Sequence, residues 1–440
     1  MHIWSLERCD SVSLDRMALV RDGASMVGKL TETPQRVDAL IVGGGMVGLT
    51  LAIALARAGL KITVIDRADP RILRDAGEDG RTIAIAHASK LVLEGTGIWP
   101  ALATAACPIN DIRVSDGDSL MFVHYDHREL GSAALGYIVE NHVLRTVLLE
   151  TAAATTGLEL RAPAEIVDLD RQSDGVEAVL KGGERISANV ALACDGRYSR
   201  TRQSAGIPVA EWRYPQTAIV CCAQHEKPHR NIAHERFLPA GPFAILPMCD
   251  DSDGNHRSSI VWTERETLAP SLLALDSKAF SAELARRFGG FLGEVALTGG
   301  RWSYPLSLMH ASRYTDLRLA LVGDAAHAIH PIAGQGLNMG IRDVAALAEV
   351  LVETRRLGLD IGTADVLDRY ARWRRADNTL LSVVTDLLNR LFSNDIAPLR
   401  LARDAGLAVV NETPPLRRFF MRHAMGTVGD LPRLLRGEAL

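Results

Sequence analysis

Short apolar runs that end at a glycine or an aspartate recur along the chain and indicate buried strands. Three such runs lie at residues 37–42, 190–194 and 319–322. Their length and their lack of a helical repeat are typical of strands that are covered on both faces. Residues 49–58 and 339–354 are rich in apolar residues at helical spacing and predict helices after the first and third runs. This alternation of strand and helix predicts an α/β fold.

Elsewhere the pattern changes to short strand-like runs and then to a long helix. The runs at 217–223, 243–248 and 258–263 are separated by proline, glycine, aspartate and asparagine, which favour turns. They predict a β-rich insertion. Residues 365–392 have the apolar repeat of a long helix, and from residue 399 onwards apolar residues are interspersed with arginines.

A glycine-rich turn follows the first predicted strand. Gly43, Gly45 and Gly48 have the spacing GxGxxG, and a second strand at 61–66 ends in Asp66 about twenty residues later. In this strand–helix–strand context the motif predicts a dinucleotide site, because the turn lets the backbone approach a pyrophosphate and the acid can bind a ribose. A turn that only allows close packing would account for one glycine and leave the rest of the set unexplained.

A second ligand-binding pattern extends from Gly323 to Asn338. Asp324 stands at the end of a predicted strand, where its carboxylate can accept hydrogen bonds from ligand hydroxyls. Gly334 and Gly336 have no Cβ atoms, so their backbone can approach a flat ring closely. The helix that follows directs its positive end toward the same place, which favours negative charge on the ligand. The pattern predicts a cradle for a polyhydroxylated cofactor that carries a ring.

A third block, from Asp195 to Arg202, begins where the second apolar run ends. Together, GxGxxG near the start, DGxxSxxR in the middle and GDAAHxxxP late in the chain resemble the three fingerprints of the FAD-dependent aromatic hydroxylases, the class A flavoprotein monooxygenases. Within that class the chain is most similar to the ubiquinone-biosynthesis hydroxylases. The local signatures that resemble theirs lie at residues 79–84, 137–145 and 335–344. The resemblance extends over roughly residues 37–395.

The resemblance implies a discontinuous Rossmann-like FAD-binding domain with an inserted β-rich substrate domain and a helical C-terminus. The FAD-binding domain is expected at residues 37–110, 142–208 and 300–355. The substrate domain, a mixed β-sheet, is expected at 111–141 and 209–299, and the C-terminal helices are expected at 356–440. Residues 1–36 precede the usual start of the family, so we expect a mobile N-terminal extension or a later translation start at Met17 or Met26.

The same resemblance implies roles for individual residues around the cofactor. The first glycine turn would hold the pyrophosphate, Asp66 the adenosine ribose and Asp324 the ribityl chain. The full set expected to bind the cofactor is Gly43, Gly45, Met46, Val47, Gly48, Asp66, Arg67, Arg81, Arg145, Asp195, Arg202, Gly323, Asp324, Gly336, Leu337 and Asn338. The residues expected to position the edge of the flavin ring are Pro331, Gly334, Gln335 and Gly336. No catalytic acid or base is identified, although deprotonation of a phenol would favour attack on its ring.

Several of these assignments have alternatives in the sequence alone. Arg81 and Arg145 suit recognition of phosphate or carbonyl groups, yet arginines more commonly form ion pairs at the surface. Asp195 is expected to fix the turn beside the FAD, and Arg202 is expected to bind a phosphate or the nicotinamide. Pro331 either forms the substrate-side edge of the flavin or stiffens its loop.

The resemblance also implies a reaction. FAD would be bound non-covalently and reduced transiently by NADPH or NADH, without a second nucleotide-binding fold. The reduced flavin would activate O₂ for attack on a polyprenylated phenol of ubiquinone biosynthesis. A hydroxylase of another aromatic compound and a non-catalytic FAD-binding subunit of a biosynthetic complex are the alternatives. No metal site is expected, because His327 and His330 have no third ligand at matching spacing.

Composition narrows the setting of this reaction. The chain has 440 residues, 47% of them hydrophobic, and a net charge of −4, which gives no reason to expect binding to nucleic acid. No apolar run is long enough to span a bilayer, so a cytoplasmic location is expected. From residue 398 onwards there are seven arginines and four acidic residues among apolar ones. This terminus is expected to pack on the protein, to form a homodimer, or to contact the inner face of the membrane or a ubiquinone-biosynthesis complex.

Overall fold

The computed structural model of the chain describes residues 36–75, 80–117, 119, 121–131, 133–329, 334–392 and 397–440. The strands are β1 (Val37–Val42), β2 (Ile62–Ile65), β3 (Thr82–Ala86), β4 (Cys107–Ile109), β5 (Asp111–Asp116), β6 (Phe122–Asp126), β7 (Gly136–Glu140), β8 (Leu158–Arg161), β9 (Ile166–Arg171), β10 (Val176–Leu180), β11 (Arg185–Ala193), β12 (Val209–His225), β13 (Ile232–Leu238), β14 (Gly241–Pro247), β15 (His256–Arg265), β16 (Val295–Ala311), β17 (Thr315–Asp316), β18 (Leu319–Leu321) and β19 (His327–Ala328). The helices are α1 (Met46–Arg57), α2 (Pro70–Asp75), α3 (His87–Gly95), α4 (Trp99–Leu102), α5 (Asn141–Ala154), α6 (Arg200–Ser204), α7 (Ala269–Leu273), α8 (Ser277–Phe288), α9 (Gln335–Arg356), α10 (Ala364–Phe392), α11 (Ala397–Glu412) and α12 (Pro414–Met425). Of the predicted N-terminal extension only Arg36 lies within the described residues, and Pro331 and His330 lie outside them.

The first sheet has eight strands, and its main path runs in the order β17-β18-β11-β1-β2-β8. The strands from β18 to β8 pair in parallel, which confirms the predicted α/β class. The three apolar runs predicted as strands are therefore neighbours in this sheet. Val42 lies opposite Ala193, and Ala193 lies opposite Leu321, so the three strands end at nearly the same level. The turns that follow carry the three motifs, and they meet at one edge of the sheet.

Helices α1 and α9 pack against the first sheet and against each other. Leu51 and Leu55 of α1 and Leu347 and Leu351 of α9 are completely buried in the same core. Burial of side chains of this size contributes roughly 1.5–3 kcal/mol each relative to exposure. Val47, in the first turn of α1, contacts the first turns of α9, so the two helices begin side by side at the edge where the three strands end.

The second sheet has eight strands in the order β19-β16-β12-β15-β14-β13-β5-β6. The three strand-like runs of the predicted insertion lie in β12, β14 and β15. On one face of this sheet Phe243 and Trp262 pack with Phe280 of α8 in a buried core. Strand β16 stays paired with β12 as far as Ala311, so the predicted domain boundary at residue 300 falls inside a strand. Residues 300–311 therefore belong to the second sheet.

The C-terminal helices pack against both sheets: Tyr370 of α10 lies in the core of the first sheet, and the end of α10 and the later helices contact the second sheet. Phe392 at the end of α10 stacks on Phe237 of β13, with ring centroids 4.2 Å apart. Arg403 of α11 forms a buried ion pair with Asp116 of β5, with 2.7 Å between Nε and Oδ2. These contacts confirm a helical C-terminus and make α11 part of the folded core. None of the helices in the described ranges combines the length and the apolar character that crossing a membrane requires.

Candidate active site

The turn between β1 and α1 is as tight as the GxGxxG spacing requires. A Cβ atom on Gly43 would lie 2.4 Å from the carbonyl oxygen of Cys194, and one on Gly48 would lie 2.0 Å from the carbonyl oxygen of Gly43. Both positions therefore exclude larger residues. By contrast, a Cβ on Gly45 would meet no atom within 4 Å, so the start of α1 faces open space. A helix N-terminus that is open in this way can offer backbone N–H groups to an anion.

Asp66, at the end of β2, holds this turn from the next strand. Its carboxylate accepts hydrogen bonds from the backbone N–H groups of Gly44, at 2.5 Å, and Ala68, at 2.7 Å. A carboxylate has about four acceptor positions, so these two bonds leave room for a ribose hydroxyl. The side chain of the neighbouring Arg67 is exposed, and its contact with the cofactor stays a prediction.

Asp324 lies directly after β18 and beside the first motif. Val47 packs so closely on Gly323 and Gly340 that Cβ atoms there would lie 3.2 and 2.6 Å from its side chain. The Asp324 side chain is accessible to solvent, yet protein surrounds it closely enough for burial to raise the pKa of its carboxyl. A deep cleft accounts for both observations. Across the described ranges this carboxylate makes no hydrogen bond, so its oxygens can accept bonds from a ligand.

Helix α9 begins directly after Gly334, which adopts a left-handed conformation with a φ of +63°. A Cβ at this glycine would lie 2.8 Å from the Cβ of Ala84 on β3. The buried Asn338 donates to the carbonyl oxygen of Ala84, at 2.8 Å, and accepts from the N–H of Ala86, at 2.9 Å. These bonds fix the helix start to β3. A Cβ on Gly336 would meet no atom within 4 Å, so the backbone there faces open space.

Three further residues of the predicted set surround the two helix starts. Met46, Gln335 and Leu337 are all half-buried, and Met46 lines the cavity described below. Pro331 was predicted at the flavin edge, but it lies outside the described residues. Its role therefore stays a prediction.

Asp195 and Arg202 connect the middle block to the rest of the site. The Asp195 carboxylate accepts a hydrogen bond from the hydroxyl of Ser199 and so fixes the turn into α6. The buried guanidinium of Arg202 donates to the carbonyl oxygens of Ala325, at 2.8 Å, and Arg197, at 2.9 Å. Arg202 thus ties α6 to the loop after β18. These contacts are within the protein, and its contact with a phosphate or a nicotinamide stays a prediction.

Sequence reasoning missed a buried polar cluster beneath the Gly323 loop. Asp343 of α9 is completely buried and accepts from the N–H of Gly323, at 3.0 Å. The same carboxylate bonds to His327, at 2.6 Å, and to the guanidinium of Arg374 on α10, at 2.8 Å. Burial alone would raise the pKa of Asp343, but the charges and hydrogen bonds of His327 and Arg374 outweigh this effect and lower it. The sequence signal that could have indicated this cluster is an aspartate within an apolar helical stretch.

A cavity of about 380 Å³ lies between the helix starts and the second sheet. On the cofactor side its wall includes Met46, Ala84 and Gly334. The opposite wall is one face of the second sheet. Arg81 lines the cavity with its guanidinium carbon 5.9 Å from the centre of the Tyr304 ring. The other predicted arginine, at position 145, lies half-buried on α5 and is not among the lining residues.

These features suit FAD on the residues alone. The open start of α1 suits a pyrophosphate, and the carboxylate of Asp324, which makes no hydrogen bond to the described residues, suits a chain of hydroxyl groups. The open backbone at Gly336 and the adjoining cavity suit a flat ring. The two motifs lie side by side because Val47 joins α1 to α9.

We expect Asp343→Ala to lower the free energy of unfolding by about 3–5 kcal/mol, because it leaves the buried guanidinium of Arg374 without its buried partner. Urea denaturation followed by circular dichroism would measure the change. The matched control is Asp377→Ala, which removes the more exposed carboxylate that also binds Arg374 and should cost about 1 kcal/mol or less. Equal losses in the two variants would contradict a special role for the buried cluster.

Comparison with known proteins identifies the family of the chain. A family profile described as FAD binding domain matches residues 36–381. The ubiquinone hydroxylase UbiL of Rhodospirillum rubrum is 52% identical over 423 residues, which cover 95% of this chain and 97% of that protein. The 3-demethoxyubiquinol 3-hydroxylase of Escherichia coli is 38% identical, over 90% of this chain and 100% of that protein. The mitochondrial ubiquinone biosynthesis monooxygenase COQ6 of Homo sapiens is 30% identical, over 88% of this chain and 92% of that protein.

Solved structures share the fold at lower identity. The p-nitrophenol 4-monooxygenase PnpA from Pseudomonas putida matches with a TM-score of 0.73 and 19% identity, over 89% of this chain and 98% of that one. PqsL from Pseudomonas aeruginosa, in complex with 2-aminobenzoylacetate, matches with a TM-score of 0.71 and 23% identity, over 84% of this chain and 99% of that one. The resemblance seen in the motifs is thus confirmed. The chain belongs to the FAD-dependent aromatic hydroxylases and, within them, to the family of the ubiquinone-biosynthesis hydroxylases.

Proposed function

We propose that this protein is a monooxygenase that uses bound FAD, NAD(P)H and O₂ to hydroxylate the ring of a polyprenylated phenol in ubiquinone biosynthesis. One oxygen atom of O₂ enters the ring, the other leaves as water, and NAD(P)H supplies two electrons. The observation that carries the proposal is the apolar cavity between the cofactor cradle and the second sheet. A ring in that cavity would lie against Gly334, where we expect the flavin edge.

Bound FAD supplies the electron transfer and the activation of O₂, and the chain supplies binding and orientation. We assign the pyrophosphate to the open start of α1 and the ribityl hydroxyls to Asp324, which has no partner among the described residues. The start of α9 is assigned to the ring, where its dipole would stabilise negative charge on the reduced flavin. Arg81 is assigned a contact at the cavity wall.

The lining of the cavity favours an enzyme over a subunit that only holds FAD. Such a subunit would need no space for a second molecule beside the cofactor. The sheet wall is mainly apolar, with Ala218, Val220, Val261 and Leu306 among its residues, and it would accept a ring with hydrocarbon substituents. A hydroxylase of another aromatic compound would use the same architecture, and only comparison of substrates separates the two.

We further propose that the C-terminal helices bring the enzyme to the membrane surface, because a polyprenyl chain dissolves in lipid. Helix α10 exposes an apolar row at helical spacing, formed by Leu380, Val383, Val384, Leu387 and Leu391. Helix α12 exposes Phe419 and Phe420 beside Arg418, whose side chain is 50% exposed. Exposed apolar groups beside arginines suit an anionic bilayer surface. Leu407 and Met421 are buried and do not contribute to this surface.

Asp324→Ala should weaken FAD binding about tenfold or more, because it removes charge-assisted hydrogen bonds to the ribityl chain. The melting temperature of the apoprotein should not fall, since the carboxylate makes no hydrogen bond in the described chain. Fluorescence titration of apoprotein with FAD would measure affinity, with the exposed Asp253→Ala as control. A protein that fails to take up FAD at all would contradict the proposal.

The reaction itself is tested with 2-prenylphenol. Either NADH or NADPH should bleach the flavin anaerobically, and isotopically labelled O₂ should then add one labelled oxygen atom to the phenol, as read by mass spectrometry. If neither nucleotide bleaches the flavin in the presence of the phenol, the protein is not a hydroxylase. Product from a phenol without a prenyl group, and none from the prenylated one, would favour the alternative substrate.

Membrane contact is tested by point substitution, because truncation would break the buried pair of Arg403 with Asp116. The double variant Leu380→Ser with Leu387→Ser should lower co-sedimentation with vesicles of phosphatidylglycerol and phosphatidylethanolamine by several-fold. Leu357→Ser, at another exposed position, is the control. Unchanged sedimentation together with loss of a dimer in light scattering would assign the row to an interface between copies.

A further inference from the structure

One carboxylate stands on the sheet face that lines the cavity. Glu235 of β13 is paired with Ala244 of β14 and with Val114 of β5. From Ala244 the row continues across the sheet to Val261 of β15 and Val220 of β12. Glu235, Ala244, Val261 and Val220 all line the cavity. Because side chains in one row across a sheet point to the same face, the carboxylate points into the cavity.

This carboxylate has no partner among the residues that the structure describes. Over the ranges that the structure describes, it makes neither a hydrogen bond nor an ion pair. The Glu235 side chain is half-buried, and a carboxylate held in such surroundings without a partner destabilises a fold, so its presence calls for a functional reason. Other charged or titratable groups on the elements that pack here include Arg81, His234 and Tyr304 in the lining, Arg113, Tyr125 and Arg236 on β5, β6 and β13, and the ion pairs of Asp116 with Arg403 and of Glu140 with Arg257.

We propose that Glu235 accepts the hydroxyl proton of the phenolic substrate and returns it after the ring is hydroxylated, an inference that rests on the proposed function. Glu235 is the sole carboxylate among the described residues that line the cavity. It lies on the sheet wall, whereas Gly334 and Met46 lie on the cofactor wall. A phenol bound between these walls would direct its hydroxyl to Glu235 and its ring toward the flavin.

The proposed step is a reversible proton transfer. The O–H bond of the phenol breaks, and an O–H bond forms on the Glu235 carboxylate. The electron pair stays on the phenol oxygen and is delocalised to the ortho and para carbons, which assists their attack on an electrophilic oxygen atom. Once the new C–O bond has formed, that ring carbon loses its hydrogen as a proton to water, and the phenol oxygen recovers a proton from Glu235. The carboxylate ends the cycle ionised, as it began.

The surroundings of Glu235 suit this exchange. Burial raises the pKa of Glu235 to about 7, and a group that titrates near neutral pH can both take and return a proton. In the unfolded chain the pKa of Glu235 is the ordinary 4.5, so the folded protein binds this proton more tightly than the unfolded chain does. The resulting contribution to the free energy of unfolding is fully present below pH 4.5 and is lost as the pH rises through about 7. Glu235→Gln should therefore melt at the wild-type temperature near pH 5 and at a higher temperature at pH 8.

The experiment compares Glu235→Gln, Glu235→Asp and the exposed control Glu266→Gln, each as the FAD-loaded full chain with 2-prenylphenol. One readout is kcat/KM for hydroxylation against pH. The other needs no turnover: it is the dissociation constant of the phenol, taken from the change in the flavin spectrum. Because the ionised carboxylate is the better acceptor, wild-type affinity and kcat/KM should both rise as the pH rises through about 7.

Glu235→Gln should lower kcat/KM at pH 7 by on the order of 100-fold and should abolish both pH dependences. Glu235→Asp should keep both pH dependences, and Glu266→Gln should match the wild type. If Glu235→Gln keeps the wild-type rate and pH profile, the inference fails and the proposed function stands. A third outcome is that the wild type hydroxylates no phenol and still binds the phenol with an affinity that depends on pH. If Glu235→Gln removes that pH dependence, the inference that Glu235 recognises the hydroxyl stands, and the proposed hydroxylation reaction fails.

Discussion

The parallel register of β18, β11 and β1 is the constraint on which the site depends. These strands end at the same level, so turns that are far apart in the chain meet at one sheet edge. The space there is small, because a Cβ on Gly43 would lie 2.4 Å from the carbonyl oxygen of Cys194. A shift of one strand would separate the start of α1 from the loop that carries Asp324. Binding of any ligand that spans both motifs therefore depends on the relative positions of all three strands.

A buried polar cluster holds the late loop, in addition to the apolar packing of α1 and α9 on the first sheet. Asp343 binds the loop through Gly323 and His327 and binds α10 through Arg374. Hydrogen bonds have stricter geometry than apolar contacts, so such a cluster fixes one position of the loop. Through Arg374 the cluster joins the loop to α10, whose outer face is exposed and apolar, and the hydroxyl of Tyr370 on α10 also donates to the carbonyl oxygen of Leu321, at 2.7 Å.

Much of the fold and part of the site could be predicted from sequence because the relevant signals are local. The spacing of Gly43, Gly45 and Gly48 is a property of one turn, and the strand before it is predicted from its own apolar residues. The partners of Asn338 and Arg202 could not be predicted, since Ala84 and Ala325 come near only through the tertiary fold. The boundary predicted at residue 300 depends on strand pairing in the same way. The glycines at 299–300 suggest a turn, but they lie at an irregularity inside the paired strand β16.

Glu235 shows most clearly what a sequence leaves open. It stands between His234 and Arg236, so the three residues show no alternation of polar and apolar side chains that would mark one face of the strand as buried. Only the pairing with Ala244 reveals that its face is turned inward. The cavity then has two unlike walls: the cofactor side carries helix starts and Arg81, which favour negative charge, and the sheet side carries one carboxylate. A phenol between them would lose its proton toward the sheet while the negative charge that develops on its ring is drawn toward the cofactor side. The proton and the negative charge of the ring are then stabilised on opposite walls of the same apolar cavity.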